Sequence, residues 1–100
     1  MDITTTHNFE KAIVKILNLD GWDLEWCGGK YEHYDTKGLT PKQQECVIEI
    51  KLRNKYYKSK MLEKYKYEKL MDIKDVHKFY LVFDPKGMYM FSAFVVWFIK

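Results

Sequence analysis

Residues 46–53, CVIEIKLR, decide how the rest of the chain is arranged. Their polarity alternates with a period of two, as in a β-strand. Cys46, Ile48, Ile50 and Leu52 fall on one face; Val47, Glu49, Lys51 and Arg53 fall on the other. The first face belongs in a core. The second sets a carboxylate and an ammonium two residues apart in mid-strand, where an ordinary solvated strand gains little from such a pair.

Upstream, residues 38–44 carry Pro41 and read as a turn, preceded by a strand over 30–37 rich in Tyr and His. With Thr40–Gln44 as the turn, Leu39 stands opposite Glu45, Asp35 opposite Glu49 and His33 opposite Lys51. Opposed residues share a face, with β-carbons about 5 Å apart. Two carboxylates so placed repel, which makes sense if a divalent cation lies between them; one or two carboxylates plus waters are the usual surroundings of Mg²⁺. A slip of one residue would send Asp35 to the other face. Glu-x-Lys alone is weak: Asp35-x-Lys37, Asp72-x-Lys74 and Asp84-x-Lys86 repeat the pattern. Only Glu49-x-Lys51 sits inside an apolar strand, with an Asp on the preceding strand and a basic helix after it.

Gly28-Gly29 is a turn, and residues 22–27 form a half-buried strand with Trp22, Leu24 and Trp26 on one side and Asp23, Glu25 and Cys27 on the other. Residues 7–19 form a helix whose stripe is Phe9, Ala12, Ile13, Ile16 and Leu17, with N-caps offered by Thr4–Thr6 and Asn8 and a stop at Gly21. Glu10 lies at the edge of this stripe, where an acid early in a helix is favoured by the dipole alone.

Downstream, residues 56–73 read as a second helix with Tyr57, Met61, Leu62, Tyr65 and Leu70 at helical spacings. Its lysines and Glu63 and Glu68 form a mostly solvated face. Lys66 is different: it lies four residues from both Leu62 and Leu70, in line with the apolar stripe, so it points toward the sheet. An inward lysine requires a carboxylate, a phosphate or a route back to water. Residues 78–84 are a strand, Asp84-Pro85-Lys86-Gly87 a turn, and residues 88–98 a last strand, apolar and expected to be covered on both faces. The order is αβββαββ: a mixed α+β fold, a central sheet with two helices packed on it.

The chain of 100 residues reads as one domain over 1–100, able to bury roughly two thirds of its unfolded surface. A content of 47% hydrophobic and 17% aromatic residues supports a folded globule over disorder. A net charge of +3 does not by itself indicate nucleic acid. Cys27 and Cys46 lack zinc-ligand or redox spacing, and a buried free thiol at Cys46 favours a reducing compartment. No secretion signal is visible, and the apolar run 88–99 is too short to span a bilayer as a helix. His7, His33 and His77 share no spacing and read as surface or structural residues. Tyr31, Tyr34 and Tyr56 could stack on bases, but core packing is the reading preferred for them.

On these motifs the chain resembles the PD-(D/E)XK nuclease superfamily, whose core runs helix, three-stranded meander, helix, strand. The family's metal-binding Asp matches Asp35, its Glu-x-Lys matches Glu49 and Lys51, its helix Glu matches Glu10, and its further helix Lys or Gln matches Lys66. Tyr34 stands where the family's Pro often does. The resemblance implies a restriction-endonuclease-like fold and a small phage or bacterial, resolvase-like nuclease. It further implies Mg²⁺- or Mn²⁺-dependent hydrolysis of nucleic acid, DNA foremost, in the cytoplasm of a bacterium or phage-infected host. Asp35, Glu49 and Glu10 would hold the metal, Lys51 would place water and stabilise phosphorane charge, and Lys66 would contact a phosphate. Arg53, Lys55, Lys58 and Lys60 would attract the nucleic-acid backbone. The alternatives are a nuclease-like module that binds nucleic acid or protein without catalysis, and a structural protein assembling through its last strand. No membrane partner is expected; a homodimer is, through the apolar run from Met88.

Overall fold

The structure, a computed structural model, describes residues 3–28, 34–56, 61–92 and 97–99, and for 61–63 and 97–99 the backbone alone. Helix α1 spans Ile3–Leu19. It starts earlier than expected, and Thr4–Thr6 lie within it rather than capping it. Threonine disfavours a helix interior by only about 0.5 kcal/mol, too little to set where the helix begins. The buried stripe is also turned: Glu10, Ile13, Val14 and Leu17 face inward, while Ala12 and Ile16 are exposed. At the C-terminus Gly21 takes φ 96°, and the Trp22 N–H donates to Leu17 O at 3.2 Å, the long bond of a Schellman cap.

The strands are β1 (Asp23–Trp26), β2 (Thr36–Leu39), β3 (Glu45–Leu52), β4 (Met61–Glu63), β5 (His77–Asp84), β6 (Gly87–Ser92) and β7 (Trp97–Ile99), with helix α2 at Lys64–Met71. The main sheet runs β1-β2-β3-β5-β6, and β4 pairs with β7 in a small second sheet. All pairs in the main sheet are antiparallel except β3 and β5, which are parallel. This is the mixed α+β architecture expected, with three local corrections.

First, the second strand begins at Thr36 and continues to Leu39, later than the 30–37 expected; His33 and Tyr31 lie outside the described residues. Second, α2 is confined to 64–71, and residues 61–63 form a strand. Three residues cannot be assigned by periodicity; here pairing with β7 decides. Consequently Tyr65 is exposed and Tyr67 faces the sheet beside Leu70. Third, the last strand divides: β6 pairs with β5 as far as Ser92, whereas residues 97–99 belong to the other sheet. It is not covered on both sides either, since Met88 and Met90 on edge strand β6 are exposed. Like β3, strand β5 is buried on both faces in its middle. Its Leu81 joins the α1 side, and its Tyr80 and Val82 pack with Tyr67 of α2.

The core therefore has two halves. Ile13, Val14 and Leu17 of α1 cover Leu24, Cys46, Ile48, Ile50 and Leu81. On the opposite face Leu70 covers Val47, with Tyr34, Tyr67, Ile73 and Val76 around them. The alternation of CVIEIKLR survives intact, but its polar face lies under α2 rather than in solvent. Cys46 is a buried free thiol, as expected, and burial pushes it up to about 11.

Asn18 clamps β1 to α1: its side chain accepts the Leu24 N–H at 2.8 Å and donates to Leu24 O at 3.1 Å. Opposite Leu24, Gly38 has φ 155°, and a Cβ there would overlap Asp23 O and crowd Leu24 Cα. Gly38→Ala is expected to part β1 from β2 and cost about 2–4 kcal/mol, within the range of backbone and overpacking effects. Urea unfolding would measure it.

Candidate active site

The Thr40–Gln44 turn closes as the register requires. Thr40 N–H donates to Gln44 O at 2.8 Å, Gln43 N–H to Thr40 O at 2.9 Å, and Leu39 pairs with Glu45. The β2–β3 ladder ends at Thr36 opposite Ile48, so Asp35 is the next position, across from Glu49. There the strands part. Asp35 N–H still donates to Ile48 O at 3.0 Å, but its carbonyl accepts the N–H groups of Cys27 and Gly28 at 2.7 and 3.1 Å. On the β3 side the carboxylate takes over: Ile50 N–H donates to Asp35 Oδ2 at 2.7 Å. The aspartate opens a fork between two strands while keeping the buried backbone satisfied. Asp35→Ala is expected to leave the Ile50 N–H unpartnered and cost about 1–3 kcal/mol. Asp35→Asn, which keeps a side-chain oxygen, is expected to lose less; the two urea midpoints check this.

Glu49 is 9% exposed and lies beside the fully buried Tyr80 of β5. Burial, then the hydrogen bond and negative charge of Asp35, push its carboxyl up to about 9, against the opposing charges of Lys66 and Lys51. Asp35 and Glu49 are thus within hydrogen-bonding reach, and the Asp35 charge adds to the burial that favours the protonated form of Glu49. Lys51 comes from the same face of β3 and Lys66 from α2 above it. The inward orientation expected of Lys66 is what the fold delivers, and its ammonium acts on the Glu49 carboxyl.

Glu10 approaches from the other face of the sheet. It is 6% exposed, and its Oε1 accepts the Trp26 Nε1–H at 3.0 Å. Burial raises its carboxyl above the usual range; the Trp26 bond opposes this, the Asp35 charge adds to it, and His7 lowers it. Trp26 is itself held: His7 meets its ring edge-on at 5.0 Å, Lys11 lies 4.6 Å over it, and a Cβ at Gly28 would overlap it. Glu10 is therefore a fixed, buried acid, not the solvated first-turn residue that the dipole alone would favour. The bond to Trp26, 16 residues away, has no local signal in the sequence.

The carboxylates suit a hard divalent cation, which takes oxygen ligands and would supply the positive charge for which a proton substitutes here. Among the described residues, no three His, Cys, Asp or Glu side chains are gathered closely enough to hold a metal ion as they stand. Asp35 and Glu49 meet; Glu10 senses Asp35 but does not close a ready trio. Of the expected backbone-binding residues, Arg53 is half-buried with its N–H donating to Phe83 O at 2.8 Å, and Lys55 is exposed. Lys58 and Lys60 lie outside the described residues. Tyr34 packs in the core; Tyr56 does not, being 42% exposed. A groove of about 460 Å³ on the α2 face, lined by Tyr34, Lys37, Glu45, Val47 and Ile73, is not lined by Glu49 or Lys51.

No protein-family model matches this chain, and no curated protein matches it by sequence. Among solved structures, Hjc, a Holliday junction resolvase from the hyperthermophilic archaeon Archaeoglobus fulgidus, superposes with a TM-score of 0.69. The identity is 17%, over 86% of this chain and 70% of that one. The two helices, the mixed sheet and this superposition agree on one architecture: the chain has a restriction-endonuclease-like α+β fold.

Proposed function

We propose that this protein is a divalent-cation-dependent nuclease that hydrolyses DNA phosphodiester bonds. One observation carries the reading: the strand fork sets Asp35 across from Glu49, where burial and the Asp35 charge push the Glu49 carboxyl up against the opposing charges of Lys66 and Lys51. Such a pair accepts a cation in the proton's place. Mg²⁺ or Mn²⁺ bound there would supply an activated water and neutralise the leaving oxygen. Asp35 and Glu49 would hold the ion, and Glu10 would join directly or through a water. Lys51 orients the attacking water and meets the charge that builds on the phosphorus oxygens. Lys66 binds the scissile or a neighbouring phosphate, and Tyr80 keeps solvent from the Glu49 side. Arg53, Lys55, Lys58 and Lys60 attract the backbone, with salt-dependent affinity.

Hjc acts on Holliday junctions, and a branched substrate is part of the proposal. The test incubates the protein with a four-way junction, a duplex and a single strand in Mg²⁺ or Mn²⁺. Cleavage lost on Glu49→Gln supports the reading. Binding without cleavage in either metal would assign a non-catalytic module instead. The protein is further proposed to act as a homodimer, supported by the exposed Met88 and Met90 on edge strand β6; a monomer on a sizing column would exclude it. Among the described residues no helix is long and apolar enough to cross a membrane. The buried Cys27 and Cys46, not joined in a disulfide, suit the reducing cytoplasm of a bacterium or phage-infected host.

A further inference from the structure

The parallel pairing of β3 and β5 brings their C-terminal ends together, the place where open α/β sheets bind ligands. Glu49, Lys51 and Arg53 step toward that end along one face of β3, and the Arg53 N–H bond to Phe83 O ties the two strands just beyond the last ladder pair. Immediately beyond it the β5–β6 turn carries Lys86. Three features hold this lysine in place. The hairpin closes at Asp84 opposite Gly87, and Asp84 Oδ1 accepts the N–H groups of Lys86 and Gly87 at 2.8 and 3.2 Å. Pro85 restricts the turn backbone. The Lys86 ammonium lies 4.1 Å from the centre of the Tyr56 ring, on the segment that leaves β3. Tyr56 is 42% exposed, so its body is used as a platform and not as core.

We infer that Lys86, positioned by Tyr56, is a phosphate-binding residue for the nucleic-acid strand, contacting it beyond the scissile group. Exposed lysines ordinarily lose much side-chain freedom on binding a phosphate; a lysine already seated on a ring loses less. Arg53 and Lys55, which directly follow β3, add further cations to the chain leaving this end of the β3–β5 pair. The inference rests on the nuclease reading for the choice of ligand, but its test does not require cleavage.

Binding of a fluorescein-labelled four-way DNA junction is measured by anisotropy in EDTA, across a salt series, with wild-type and variant full-length chains. Lys86→Ala is expected to weaken binding about five- to tenfold and to reduce the salt slope by about 1, as for loss of one phosphate contact. Lys86→Arg is expected to retain both. Tyr56→Phe keeps the ring and is expected to match wild type, whereas Tyr56→Leu is expected to lose part of the affinity. Lys86→Ala binding with wild-type affinity and slope would overturn the inference and leave the nuclease reading standing. Wild type that binds the junction but cleaves nothing in Mg²⁺ or Mn²⁺ would overturn the nuclease reading and leave the Lys86 contact standing. Wild type that does not bind the junction would overturn both. Circular dichroism on each variant separates loss of contact from loss of fold.

Discussion

Glu49→Gln is expected to abolish cleavage and, without divalent cations, to make the protein more stable than wild type at neutral and alkaline pH. In the metal-free fold burial and Asp35 hold the Glu49 carboxyl up to about 9, whereas the unfolded chain releases the proton near the ordinary value of 4.5. The sign follows from proton counting. Between those values the folded state binds the proton and the unfolded state does not, so wild-type stability falls as pH rises through the window. The slope for one such group is at most about 1.4 kcal/mol per pH unit. Below the window the contribution is fully present; above about pH 9 it is gone. Glutamine keeps the shape and the hydrogen-bonding capacity of the protonated acid and has no proton to lose. Urea midpoints against pH in EDTA should therefore fall for wild type and stay flatter for Glu49→Gln. A wild-type midpoint that rises between about pH 5 and 9 would contradict the assignment. Mg²⁺ should raise the wild-type midpoint most at the alkaline end, where no proton competes for the site; Glu49→Gln should show little of this gain.

The second large effect is expected at Lys51. Lys51→Ala should lower the cleavage rate about 10²–10³-fold while leaving junction binding in EDTA within a fewfold of wild type. Lys51 sits on β3, half-buried on the same face as Glu49, with its position fixed by pairing opposite Val82. A rigid strand places a charge better than a loop does, so the loss should appear in the single-turnover rate rather than in affinity. A guanidinium has a different shape and hydration from an ammonium, and Lys51→Arg is expected to restore little. Equal losses in rate and binding would instead make Lys51 one of the general backbone-binding cations. Removing Lys51 also takes away one of the two cations opposing protonation of Glu49. The same lysine repels a divalent ion more strongly than a proton, so Mg²⁺ protection against urea should be kept or increased in Lys51→Ala.

How much of this was legible in the chain differs from residue to residue. Glu49, Lys51 and Asp35 were legible because a strand has a period of two and the Thr40–Gln44 turn sets one register. Lys66 was legible because helical spacing aligned it with Leu70, although the helix is shorter than its periodicity suggested. Glu10 was legible in position but not in environment. Its burial depends on the rotation of α1 that places Val14 inward and Ile16 outward, and its partner Trp26 is on another element. The division of the apolar run after residue 87 was not legible. Local hydrophobicity is the same whether a segment extends a strand or leaves to pair elsewhere, and only the pairing of residues 61–63 with 97–99 separates the two.

By itself, then, the sequence determined the α+β class, the alternating strand at its centre and the identity of the residues that gather at the strand fork. These follow from local periodicity and turn chemistry, which act over a few residues. The tertiary structure decided their chemistry. α2 folds over the polar face of β3 and takes Glu49 out of water, so that a carboxyl which would be ionised on an open strand retains its proton beside Asp35. Parallel pairing of β3 with β5 brings Lys86 and Tyr56 to the same end of the sheet. Desolvation and the convergence of strand ends depend on what lies across the sheet, and no window of sequence contains that information.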